Sequence, residues 1–553
     1  MIKRICSSAL ALMALLAFVT YGASDGTISG TIKGPSGAPL KGIFVQARSL
    51  SISNLTMSVL SDKQGHYRIE NLSPGDYQVS VRAAEYQSDP PTGVKVAAGA
   101  NLNLTLKSKR VGWSDLAPYQ AYALLPEQEG KQQFIKCMNH HGFPLQERQT
   151  PEGWEGIINY MKLLRPRLGE PTSQTEKDLD AALDYVKTVL TVDGPLPASP
   201  AAMPGYSKLR REFGDDAMKI VYVDYDLPGS SGARMPARGD VGGESEYHPG
   251  MPMQFPWSAA QDKDGNFWIP YRLLANKIAR LNPNTGEVKE FKIMNQGVAA
   301  VHSAVPAPDG TVWFNETGPN RMAKLDPRTQ AVKEYQVAFQ PGEDGKLAHG
   351  DRNTILIDPK GYIWCSGEPL VRFDLETEKF TYFPDAPKRS YDIKMDKEGN
   401  VWFTAYGAVS AIGRIDAKTE KVTTYATPTP KAYPRRMKID TDGIIWFGEY
   451  DGGKIGRFDP KTKTFKEYPL PGPRATPYPL GIDRNHQIWY SGRDRDVLGL
   501  LDPKTGHVTE YPMPYWFASM RDFLTDSQGR MWFAVPQANK VGYFYLAANT
   551  AGQ

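Results

Sequence analysis

Asp440-Thr441-Asp442-Gly443-Ile444-Ile445-Trp446-Phe447 is one copy of the pattern that decides the fold. After it come Lys454-Ile-Gly-Arg-Phe-Asp-Pro-Lys-Thr and Phe465-Lys-Glu-Tyr-Pro-Leu-Pro. The Asp-Gly pair is a hairpin turn and the flanking runs alternate as strands do. The pattern Asp-x-x-Gly-x-apolar-Trp-aromatic recurs in some form around Trp268, Trp313, Trp364, Trp402, Trp446, Trp489 and Trp532, at intervals of 38 to 51 residues. A period of about 40–50 residues holding about four short strands is a propeller blade. Seven copies predict a mainly β protein dominated by a seven-bladed β-propeller over 219–553. The seventh copy ends at Lys540-Val-Gly-Tyr-Phe-Tyr without its outer strand. Lys219-Ile-Val-Tyr-Val-Asp-Tyr-Asp-Leu-Pro228 has the missing form, so 219–228 is expected to close the ring and leave no long unpaired inner edge.

Working outward, Ile28, Gly30 and Ile32, then Ile43, Val45 and Ala47, then Tyr77, Val79 and Val81 alternate with polar residues, and Leu102, Leu104 and Leu106 close the segment 25–108. Period-2 alternation broken by Gly, Pro and Asp predicts a small antiparallel sandwich. Ser61-Asp-Lys-Gln-Gly-His-Tyr67 and Leu72-Ser-Pro-Gly-Asp-Tyr77 resemble the carboxypeptidase regulatory-like domain, which implies an Ig-like or transthyretin-like sandwich of a carbohydrate-binding-like fold group. A glycan or an envelope protein is the partner that this resemblance suggests for it. Residues 113–195 have helical spacing at Gln128–Met138, Trp154–Leu164 and Thr175–Leu190, and the Pro/Ala-rich 196–218 reads as a linker.

The units Val401-Trp-Phe-Thr, Lys454-Ile-Gly-Arg-Phe-Asp and Lys466-Glu-Tyr-Pro-Leu-Pro resemble virginiamycin B lyase (streptogramin lyase), from residue 219 to about 547. That resemblance implies elimination on a cyclic depsipeptide, with Mg²⁺ and a few His and Glu residues at the channel mouth. The lyase has a His opening the sixth blade, a Glu-x-His opening the seventh and a Glu after the seventh Trp-aromatic pair. Here those positions hold Tyr478, Ser519, Arg521 and Val535, so the lyase residues are not retained.

Blade geometry places the mouth independently. The first strand of a blade starts on the face where its second strand ends. Positions eleven before and three after each Trp are therefore expected to face one mouth. The earlier set is Trp257, His302, Asn353, Tyr391, Arg435, Tyr478 and Arg521; the later set is Tyr271, Glu316, Gly367, Ala405, Glu449, Gly492 and Val535. His302, Glu316 and Glu449 are the candidate catalytic residues, since His and carboxylates exchange protons or bind a metal such as Mg²⁺. Arg435, Arg436 and Arg521 are expected to hold an anionic group by forked hydrogen bonds. Trp257, Asn353, Tyr391 and Tyr478 complete the expected ligand-binding set, with Glu246 and His248 near the rim.

Cys137-Met-Asn-His140-His141 in the helical module resembles a c-type cytochrome site. The resemblance implies haem held by Cys137 and His141, with Met161 as sixth ligand. His140 stands where a second Cys is needed, so double thioether attachment is impossible. A relic without cofactor, a singly attached haem and another metal such as copper or zinc all stay open.

Composition bounds the rest. The 553 residues include 51 Gly, 44 Pro and only three Cys, with a net charge of +4. Three cysteines exclude a disulfide scaffold or a four-cysteine zinc site, and the small charge argues against nucleic acid as partner. Lys3 and Arg4 precede the apolar run Ala9–Val19 and then Gly22-Ala-Ser, the order of a signal peptide over 1–23. A periplasmic or secreted protein with no transmembrane segment after cleavage is expected. The leading function is a lyase-like propeller that binds or transforms a small molecule at its mouth. A haem-linked redox protein and a non-catalytic envelope scaffold are the alternatives.

Overall fold

The computed structural model describes residues 26–137, 148–167, 175–229, 254–272, 275–294, 298–338 and 352–547. The expected signal peptide, Glu246, His248, His140 and His141 lie outside these residues, as do the side chains of Cys137 and Met161.

The protein is mainly β. Six antiparallel sheets of four strands follow one another between Ala260 and Pro512. A seventh four-stranded unit consists of Phe523–Thr525, Met531–Val535, Lys540–Leu546 and, far upstream, Ile220–Asp226. The last two pair antiparallel over seven residues, from Ile220–Leu546 to Asp226–Lys540.

The repeated tryptophans explain why the units stack. Each lies on the unit face turned towards the next unit. Trp268 packs with Phe314, Trp313 with Ile363, Trp364 with Phe403, Trp402 with Phe447, Trp446 with Tyr490, and Trp489 with Phe533. Trp532 closes the ring on the first unit, stacking on Phe267 with ring centroids 3.7 Å apart. Burying such aromatic area supplies the stacking energy. In the fourth, fifth and sixth units a Gly in the third strand makes room for the aromatic after the Trp: a Cβ on Gly413, Gly456 or Gly499 would lie 2.0, 2.2 or 2.0 Å from the ring of Phe403, Phe447 or Tyr490. Cys365 is buried in the same kind of seam, between the second and third units.

The N-terminal β domain has two layers. One contains His66–Leu72, Gly26–Lys33 and Gly99–Asn101. The other contains Leu55–Leu60, Phe44–Ser49, Gly75–Arg82 and Thr92–Val96. The expected last strand over Leu102, Leu104 and Leu106 is broken into the two-residue pieces Leu104–Thr105 and Lys107–Ser108.

The second layer does not end at the domain. Leu55–Leu60 pairs with Ile220–Asp226, so the seventh unit and this layer form one eight-stranded sheet. Alternation explains how one strand serves both. Val221 and Val223 enter the core of the N-terminal domain, while Ile220 and Tyr222 enter the seam between the sixth and seventh units. A one-residue slip would exchange the two faces.

Among the described residues four α-helices form the remaining module: α1 (Pro118–Leu124), α2 (Lys131–Cys137), α3 (Pro151–Arg167) and α4 (Glu176–Val189). Thr175 caps α4 in a reciprocal box with Asp178. α1 is too short to show a helical period in the sequence, and Pro118 at its first turn is what marks its start. The stretch read as a linker is laid onto the module rather than left free. Leu196, Met203, Tyr206 and Leu209 pack on its core, and Trp113 Nε1 donates to the Pro197 carbonyl at 2.8 Å. No helix among the described residues is long and apolar enough to cross a membrane.

Candidate functional site

The helical module caps the ring at the end where the inner strands begin. Its apolar core of Phe134, Trp154, Tyr185 and Val186 continues into Phe255, Trp257 and Phe517 of the propeller. The Tyr119 amide donates to the Asp494 carbonyl at 2.9 Å, and Arg211 Nη1 donates to the Arg495 carbonyl at 2.5 Å. The Arg474 guanidinium lies over the Tyr122 ring at 5.2 Å and donates from Nε to Asp494 Oδ2 at 2.7 Å. Cap and mouth enclose a cavity of about 820 Å³, the size of a small-molecule site.

All seven residues eleven positions before the tryptophans line this cavity. In the fourth, fifth and sixth units the inner strand slips register between Ser390 and Ile393, Pro434 and Met437, and Pro477 and Leu480. A bulge aims an extra side chain away from the ladder, and here the side chains concerned include Tyr391, Arg435 and Tyr478.

The positions three after the tryptophans behave otherwise, which corrects the expected catalytic trio. Glu316 and Glu449 do not line the cavity. Each is the last residue of its second strand, paired with Arg321 and Lys454, and is fully buried. It shares a face with Phe314 or Phe447, which packs on the preceding unit, so it points into the seam between units. Burial pushes both carboxyls up to about 8, with Glu334 adding to the effect at Glu316 and Glu467 at Glu449. The side chains that reach the cavity are one position later, beyond the strand end: Arg272, Tyr406 and Tyr450.

Arg436 is also reassigned. It is buried outside the cavity lining, where Nε donates to the Arg521 carbonyl at 3.0 Å and Nη1 to Thr354 Oγ1 at 2.8 Å. Asp392 and Asp522 accompany it at 3.3 and 3.5 Å. Arg436 thus holds the backbone of the ring from beneath. Sequence reasoning missed a further set of supports two residues after the tryptophans. Asn315 Oδ1 accepts from the His302 and Ser303 amides, Ser366 Oγ donates to the Tyr391 carbonyl, and Thr404 Oγ1 donates to the Arg435 carbonyl. Their signal was present as small polar residues inside otherwise apolar strands.

Charge in the cavity is one-sided. Among the described residues Lys136, Arg272, Arg389, Lys431, Arg435, Arg474 and Arg521 line it against one carboxylate, Asp451. Burial raises Asp451 above the usual carboxylate range. Arg435 sits amid four tyrosine rings, 5.0 Å from Tyr391, 4.6 Å from Tyr406, 5.4 Å from Tyr450 and 5.5 Å from Tyr478. His302 Nε2 and the Tyr391 hydroxyl are 3.0 Å apart, and Tyr391 in turn shares a short hydrogen bond with Tyr478. Burial, with Arg436 and Arg272 nearby, drives His302 well below its usual value, so its imidazole is neutral.

The lining does not fit the divalent cation that the lyase resemblance implies. Among the described residues no three His, Cys, Asp or Glu side chains gather as a metal's ligand set, and seven cations repel another.

Residues 375–551 match the virginiamycin B lyase family, and residues 27–109 match the carboxypeptidase regulatory-like domain. Fold and matches together define the class: a β-propeller with a virginiamycin B lyase family-like region behind a regulatory-like β domain. Among solved structures the chain is similar to a streptogramin B lyase at 24% identity, covering 60% of this chain and 100% of that one, with a TM-score of 0.49. It is similar to virginiamycin B lyase of Staphylococcus aureus at 24% identity (54% and 97% covered, TM-score 0.47). A catalytically inactive form of that enzyme with quinupristin shows 25% identity (53% and 96% covered, TM-score 0.46). No curated protein matches the sequence. The helical module lies outside both matched ranges.

Proposed function

We propose that this is an exported, seven-bladed, lyase-like propeller that binds a small anionic molecule in the capped cavity at its mouth. The observation that carries the reading is that, among the described residues, seven cations and one carboxylate line about 820 Å³. Guanidinium groups bind carboxylates and phosphates through forked, charge-assisted hydrogen bonds, and a water-poor site strengthens them. Tyr406, Tyr433, Tyr450 and Trp257 supply flat apolar walls for the ligand's body. The Lys3-Arg4 and Ala9–Val19 order supports export.

Thermal shift measurements against citrate, galacturonate and glucose 6-phosphate, beside uncharged glucose and galactose, test the reading. A ligand that binds only the folded state raises the melting temperature with concentration. The expected outcome is a rise with at least one anion, reduced in Arg435→Gln and in high salt. Equal behaviour of the anions and the neutral sugars would overturn it.

A further inference from the structure

Three ionisable side chains from alternate units meet across the mouth. His302 comes from the second unit, Tyr391 from the fourth and Tyr478 from the sixth. All three are buried and all three line the cavity. Hydrogen bonds run from His302 Nε2 to Tyr391 Oη and on to Tyr478 Oη. Around Tyr478, the Arg521 guanidinium carbon is 4.7 Å from the ring centroid and that of Arg435 is 5.5 Å away. Tyr450 stands edge-on at 5.5 Å between centroids, and Arg436 lies behind Tyr391 at 5.3 Å.

We propose that Tyr478 is the proton-accepting group of this cavity, acting as a phenolate on a carboxylate-bearing ligand with an acidic hydrogen beside its carboxylate. The assignment rests on the anion-binding reading above and adds chemistry to it. The ligand's carboxylate meets Arg435 and Arg521. The C–H bond next to it breaks, its proton passes to Tyr478 Oη and the electron pair stays on the ligand. The two guanidiniums that balanced the phenolate then balance the ligand's new charge, so little reorganisation accompanies the transfer. Tyr391 and His302 are positioning residues: Tyr391 donates to the phenolate and neutral His302 fixes the Tyr391 hydroxyl.

The electrostatics agree with this geometry. Burial acts to raise the Tyr478 phenol, but Arg435, Arg521, the Tyr391 hydrogen bond and Arg436 outweigh it, and the net direction is down. Tyr391 moves the other way, held up first by burial and then by Tyr478. The two phenols are thus pushed apart, Tyr478 towards earlier and Tyr391 towards later ionisation.

Ultraviolet titration at the tyrosinate band tests the assignment on the full chain without added anion, so it reads independently of ligand binding. The expected wild-type curve shows one of the 28 tyrosines ionising below the rest. Tyr478→Phe removes that single step, and Tyr391→Phe or Arg521→Gln moves it to higher pH. A Tyr478→Phe curve that superimposes on wild type overturns the proposal. Should Tyr478→Phe not fold, an unmoved step in folded Arg521→Gln overturns it equally. An early step together with no anion response would remove the binding reading and leave the phenolate standing. An anion response with no early step would do the reverse.

Discussion

At the residue scale, the Asp of each repeat is as telling as the Trp. In six units the Trp Nε1 donates to the Asp six residues earlier, at 2.7 to 3.3 Å. The other oxygen of that Asp accepts amides of its own turn, as Asp440 does from Asp442 and Ile444. The second unit has Ala307 there, in a turn with the same backbone bonds. Ala307→Asp is expected to give the Trp313 indole the carboxylate acceptor that the other six have and to raise stability by about 0.5–1.5 kcal/mol, measured by denaturant unfolding. Glu449 makes a pH prediction. Its carboxyl is held up at about 8 when folded, whereas an unfolded one ionises near 4.3. The folded state therefore binds the extra proton across that interval, and stability is full below it and falls as pH rises through about 8. Relative to its difference from wild type at pH 4, Glu449→Gln should gain stability by pH 9 by on the order of 1 kcal/mol or more, read from melting curves. The eleven-before positions were legible because they count from a fixed marker within a regular strand. The three-after positions failed by one residue, and in a strand one residue is the whole difference between seam and cavity.

At the element scale, the strand Ile220–Asp226 is held on both edges. Lys540–Leu546 lies on one side and Leu55–Leu60 on the other. Its missing-strand form was readable because it copied the other outer strands. Its second partner was not, since nothing in an alternating sequence names the strand across the ladder. The pairing predicts that the N-terminal β domain and the last blade open together. In native-state hydrogen exchange, the amides of Val221, Val223 and Met57 are expected to share one opening free energy. Separate values for the domain and the blade would show that the shared ladder does not couple them. The bulges at Tyr391, Arg435 and Tyr478 were equally silent in the sequence, because each needs a partner strand to be displaced against.

At the scale of the whole molecule, the ring was legible from its period and the cap was not. The helices of the module are amphipathic, but which surface they cover depends on pairs such as Arg474–Tyr122 that lie more than 300 residues apart. The cap contributes Gln132, Ile135 and Lys136 to the cavity. Lys136 is solvent-exposed, so its charge can be changed at little cost to the core. Lys136→Glu is expected to weaken anion binding several-fold at low salt, with a difference that shrinks as ionic strength rises, measured by titration calorimetry. The upstream closing strand also sets an order of events during synthesis. Ile220–Asp226 emerges about 300 residues before its partner Lys540–Leu546, a wait of roughly 15 to 60 s at ribosomal rates. An unpaired apolar strand exposed that long invites association with other nascent chains. Leu55–Leu60 has already been made by then and occupies one edge. The N-terminal domain thereby shelters the ring's future seam on the ribosome until the last blade arrives to complete it.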